Sequence, residues 1–138
     1  MEERKNSEII SILFKMQNIQ KAILNSIKHL KGIKPIKDSI EIYNSCFNTL
    51  HEASIYFFQA TGFLKAEYIN GCLSYTGKNF LLNKLFIPAF RNFQRLQNNL
   101  KSIEVDDIYS ESLKLLQNKV EYINCSLFSV LSDINNLK

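Results

Sequence analysis

Apolar residues recur at alternating spacings of four and three along most of the chain, the period that places them on one face of an α-helix. Four such runs are present. The first is expected from about Arg4 to Lys31, carried by Ile9, Leu13, Met16, Ile23, Ile27 and Leu30, with Gln20 as its one polar interruption. Gly32 and Pro35 come next as stop signals. The second run opens near Pro35, whose fixed φ suits a first helical position. It continues through Ile36, Ile40, Tyr43, Phe47, Leu50, Ser54, Phe57, Thr61, Leu64 and Tyr68. Ser54 and Thr61 stand where a core helix usually carries Leu. Gly62 lies inside the same pattern, at a cost of about 1 kcal/mol relative to Ala, and is expected to mark a close helix crossing or a bend.

The segment from Asn70 to Lys78 keeps no period and holds the two remaining glycines, Gly71 and Gly77. It reads as the central connection that turns the chain back. The third run is expected from about Asn79 to Ile103, through Leu82, Phe86, Ala89, Phe93, Leu96 and Leu100. Pro88 sits inside it, and a proline there removes a hydrogen bond and crowds the preceding turn, so a kink or a restart is expected. The fourth run begins at Asp106 and Asp107, which can cap free N–H groups, with Glu111 complementing the dipole. Tyr109, Leu113, Leu116, Val120, Ile123, Leu127, Val130, Ile134 and Leu137 carry it to the end.

Four amphipathic helices with short connections predict one all-α domain over residues 1–138, an antiparallel up-down-up-down four-helix bundle with its third helix kinked near Pro88. Composition agrees. A hydrophobic content of 46% argues against disorder, and Gly 4 with Pro 2 leaves too little turn material for a β-sandwich. No window approaches about 18 uninterrupted apolar residues, so no transmembrane helix and no membrane partner are expected. The opening MEERKNSEII lacks the apolar centre of a signal peptide. Three cysteines without CxxC spacing fit a reducing, cytoplasmic setting. Cys46 and Cys125 lie within helical patterns and are expected to be small buried thiols.

Charge alternates helix by helix. Residues 1–37 carry eight Lys/Arg and three acids, residues 38–69 one and four, residues 70–101 five and none, and residues 102–138 three and six. In an up-down bundle each basic helix then has acidic neighbours, which favours that topology. The basic excess of the third helix also permits nucleic-acid contact through Lys84 and Arg91, which share one outward line with Asn98, and through Arg95 and Lys101 beside it.

Catalytic and cofactor chemistry finds no support in the motifs. Neither His29 nor His51 has a Glu three residues before it, as a di-iron bundle needs. No phosphate-cradling glycine loop is present. Cys46 and His51 are poorly spaced for a nucleophile and base on one helix. Arg91-Asn92 resembles the opening dipeptide of the Arg…His motif of HEPN-type ribonucleases, but no His lies downstream of it in this chain, so no such nuclease activity is expected. The chain is therefore read as non-enzymatic, without metal or cofactor.

The remaining signal is apolar residues off the core stripe. On the second helix Ile42, Tyr56 and Phe63 fall at an outer position, flanked by Ile55 and Ile69. On the third, Phe80, Leu81 and Ile87 face away from the seam. Ile55, Tyr56, Phe63, Phe80 and Ile87 are expected to gather into a partner interface near the central turn, serving a homo-oligomer or another protein. A nucleic-acid-binding bundle is the alternative.

Overall fold

The computed structural model describes residues 2–71 and 73–137, with side chains from Ser7 onward. The four periodic runs form four helical stretches: α1 (Glu2–Lys31), α2 (Ile40–Ile69), α3 (residues 75–100) and α4 (Asp107–Asn135). No strand occurs among the described residues. α1 packs against α2 and α4, and α3 packs against the same two, which closes a ring around one core. Partners along each seam run in opposite order. Lys15 meets Asp133 and Asn25 meets Lys119 across α1 and α4. Phe57 meets Phe86 and Phe63 meets Phe80 across α2 and α3.

The core takes Met16 and Ile23 from α1, Leu50, Phe57 and Leu64 from α2, Phe86, Phe93 and Leu96 from α3, and Leu116, Val120 and Leu127 from α4. Burying each such side chain contributes about 1.5–3 kcal/mol. Ser54 and Thr61 are buried, and their hydroxyls donate to the carbonyls of Leu50 (2.7 Å) and Phe57 (3.1 Å), one turn back on the same helix. The polar interruptions of the α2 stripe are thus satisfied locally.

α1 differs from its expected register. Ile12, Ile19 and Ser26 enter the core, while Leu13, Gln20 and Ile27 are only half-buried. The α1 stripe is wide enough for either set, and polar satisfaction decides. Ser26 meets its donor need at the Ala22 carbonyl, 2.8 Å away, and Gln20 stays half-buried, with its amide spared full desolvation.

α2 begins at Ile40, after a short 3-10 turn over Lys37–Ser39, rather than at Pro35. Pro35 instead pairs with Val105 in an isolated bridge, and Ile36 donates its N–H to the Glu104 carbonyl at 3.0 Å. The Glu104 N–H donates in turn to Ser39 Oγ at 2.8 Å. The two loops at this end of the bundle are therefore tied together. At the other end, Gly71 makes the turn with φ +94, and α3 starts at Tyr75, four residues before the expected position. Ser74 Oγ caps it by accepting the Gly77 N–H at 2.9 Å. Lys78 then clasps the end of α4 by donating to the carbonyls of Asn135 (2.7 Å) and Leu137 (2.6 Å), a cation at a helix C-terminus.

Pro88 shapes α3. The helix is α-helical over Tyr75–Phe80 and Ile87–Leu100, joined by a π-helical turn over Leu81–Phe86. Pro88 has no N–H, and its ring crowds the carbonyl four residues earlier. The turn before it widens, so that the Ile87 N–H donates to the Leu82 carbonyl, five residues back. Leu81, Leu82, Leu85 and Phe86 are all buried, so Leu81 does not face outward as its heptad position implied. At the start of α4, Asp106 occupies the capping position without a side-chain hydrogen bond to the helix. Among the described residues the ion pairs within 4.0 Å reduce to Lys15–Asp133, at 2.6 Å. The alternating charges act as a diffuse field and not as matched pairs.

Gly62 marks no close crossing: a Cβ built there meets nothing within 4 Å, and the residue is exposed. Gly62→Ala is expected to stabilise the fold by about 0.5–1 kcal/mol, read as a higher urea midpoint with an unchanged slope. Removing the clasp with Lys78→Met is expected to destabilise by about 1 kcal/mol in the same assay.

Candidate functional site

The expected interface residues divide. Tyr56 and Phe63 are half-buried and pack against the core. The Phe63 and Phe80 rings meet at a tilt of 46°, with 5.1 Å between centroids. Ile55 and Phe80 keep 47% and 45% of their surface exposed. Ile87 goes elsewhere. It lines a groove between α3 and α4 with Leu82, Phe128 and Leu131, rimmed by Asn79, Asn83 and Asn135. The cause is the π turn. Phe80 and Ile87 are seven residues apart and would share a face of an unbroken α-helix, but the wide turn takes up an extra residue and rotates the remainder of α3.

The same rotation affects the basic line. Arg91, Arg95 and Asn98 keep α-helical spacing on the segment Ile87–Leu100 and are exposed. Lys84 is exposed but lies within the wide turn, so heptad spacing does not carry it onto that line. Lys101 is exposed just beyond the end of α3.

A further surface was not anticipated. An open groove of about 470 Å3 lies between α1 and α2, lined by Ile10, Leu13, Phe14, Gln17, Gln20, Lys21, Leu24, Thr61 and Lys65. Its α1 wall is a single helical line, Ile10, Phe14, Gln17, Lys21 and Leu24, at the 4-3 spacing of neighbours on one face. Phe14 is 64% exposed and Leu24 52%. The signal was present in the sequence, since Ile10, Phe14 and Leu24 sit off the core stripe at a common register. Polar residues between them broke the run. α4 carries a second outer line, in which Ile108, Leu115 and Tyr122 are exposed at seven-residue intervals.

The titratable groups do not converge. His29 faces α4, where burial first and the nearby Lys119 ammonium second hold its pKa below the ordinary imidazole value. Among the described residues no cluster of three or more His, Cys, Asp or Glu could hold a metal ion. No helix among them is long and apolar enough to cross a membrane. Cys46 is buried, and burial pushes its thiol up to about 11. Cys125 is exposed on the outside of α4, contrary to its expected burial. The core face of α4 runs through Ile123 and Leu127, which leaves Cys125 turned away. No family model, curated protein or solved structure matches the chain.

With Cys72 replaced by Ser, a thiol reagent such as Ellman's is expected to modify Cys125 promptly in the native protein. Cys46 should react only after unfolding, because it is both enclosed and protonated at neutral pH. The stoichiometry of released chromophore before and after denaturant checks this.

Proposed function

We propose that this chain is a non-enzymatic helical-bundle protein–protein interaction module, an adaptor, chaperone-like binder or inhibitor that works as an oligomer or on another protein. The observation that carries the reading is the open groove between α1 and α2, which leaves Ile10, Phe14 and Leu24 in solvent along one helical line. Exposed apolar lines of this kind favour burial against a partner. The exposed residues Ile55 and Phe80 extend the apolar surface on α2 and α3. The free thiols Cys46 and Cys125 are consistent with a reducing, cytoplasmic setting.

A nucleic-acid-binding bundle is the second reading. It is favoured by Arg91 and Arg95, which are exposed on one line and have no ion-pair partner within 4.0 Å among the described residues. It requires salt-sensitive RNA or DNA binding that Arg91→Glu with Arg95→Glu abolishes.

Tyr56 and Phe63 are too deeply packed to serve as clean surface probes, so the test uses exposed positions. Phe14→Asp is expected to change folding stability by no more than about 0.5 kcal/mol. It is also expected to reduce the mass seen by light scattering, or to remove the partner recovered by cross-linking. If the protein is a strict monomer, and neither Phe14→Asp nor Ile55→Asp alters what is cross-linked, the interaction reading fails.

A further inference from the structure

The chemistry of the α1–α2 groove narrows the kind of partner it fits. Its α1 wall runs from Ile10 to Leu24, apolar at both ends with Gln17 and Lys21 between, roughly 21 Å along the helix axis at about 1.5 Å per residue. That is the length of four turns of a partner helix. The surface is concave, with Leu13 and Thr61 between the two helices, and so suits a rod more than a plane. Thr61 offers no free donor to a ligand, because its hydroxyl is given to the Phe57 carbonyl.

The charge around the groove has one sign. Its lining includes Lys21 and Lys65 and no carboxylate. Between Glu8 and Asp38 the chain carries no acid at all, so Lys28, the next position along the α1 line, extends the positive edge. Lys65 is also the one basic residue in the acidic stretch 38–69. The acids of α2 do not line the groove, and Glu67 lies at the opposite side, where its carboxyl carbon is 3.6 Å from a Cβ built on Gly77 of α3.

Resting on the interaction reading above, we propose that the α1–α2 groove binds an acidic amphipathic α-helix of a partner protein. The partner's apolar face covers Ile10, Phe14 and Leu24. Its carboxylates lie along Lys21 and Lys65. This is the helix-in-groove mode of recognition, with rim charges that select sign and speed encounter.

The test uses two labelled peptides of about 18 residues, each with Leu at amphipathic 3-4 spacing. One carries Glu at every flanking position and the other Lys. Fluorescence anisotropy is read against the full chain, its Phe14→Asp variant and the Lys21→Glu/Lys65→Glu double variant, with circular dichroism confirming that each is folded. The acidic peptide is expected to bind the native chain at least about tenfold more tightly than the basic one. The double variant should reverse that preference, and Phe14→Asp should abolish binding of both. Equal binding of the two peptides that is still lost in Phe14→Asp would overturn the acidic partner while leaving the interaction module standing. Binding of neither peptide, or binding that Phe14→Asp does not touch, overturns the proposal. So does capture of anionic phospholipid vesicles or a single-stranded oligonucleotide through Phe14 in place of the acidic peptide.

Discussion

The missing N–H of Pro88 organises more of this molecule than any other single group. A helix that meets a proline must kink, stop or widen, and α3 widens. The π turn over Leu81–Phe86 presents two adjacent pairs, Leu81 with Leu82 and Leu85 with Phe86, to the core instead of one residue per turn. That places Phe86 beside Phe57 in the middle of the bundle. It also rotates Ile87–Leu100 relative to Tyr75–Phe80. The outer surface of α3 is therefore two surfaces, with Phe80 turned toward α2 and Ile87 toward α4.

The architecture was largely legible in the sequence because it rests on period, and period survives local error. The buried line of α4 from Leu113 to Ile134 is the line the spacing implied, and so is the middle of α2 from Leu50 to Leu64. What spacing could not give was phase. Choosing Ile12, Ile19 and Ser26 over Leu13, Gln20 and Ile27 depends on where hydroxyls and amides find partners, and a heptad count does not register that. The proposed interface separates at one residue. The kink or restart that Pro88 implies does not give its size, and the extra residue of the π turn sends Ile87 to another seam. The α1–α2 groove was missed for a different reason. Its apolar residues alternate with Gln17 and Lys21, so the line looks like an ordinary solvated face until the depth between two helices is known.

Three hydroxyls inside the bundle are satisfied within their own helices: Ser26, Ser54 and Thr61 return them to carbonyls one turn back. Asn124 reaches across to a neighbouring helix instead. Its amide donates to the Phe93 carbonyl at 3.2 Å and to Gln97, but its Oδ1 is buried without a partner, a deficit of about 1–3 kcal/mol. Both the α3–α4 seam and the α1–α2 seam, which Tyr43 bridges by donating its hydroxyl to the Leu30 carbonyl at 2.7 Å, carry an outer groove. Of the two grooves, the one between α1 and α2 is lined by lysines.

The tie between the two loops at one end carries a kinetic meaning. Each pair of sequential helices can form from near neighbours in the chain, whereas the Ser39–Glu104 bond joins residues 65 apart. Closing so long a loop is entropically slow to be rewarded, so such a bond belongs to the downhill side of the folding barrier. Interactions formed there leave the folding rate nearly untouched and act on the rate of escape. Ser39, a small residue in a one-turn 3-10 helix, is therefore expected to act as a latch, whose loss would speed unfolding more than it slows folding.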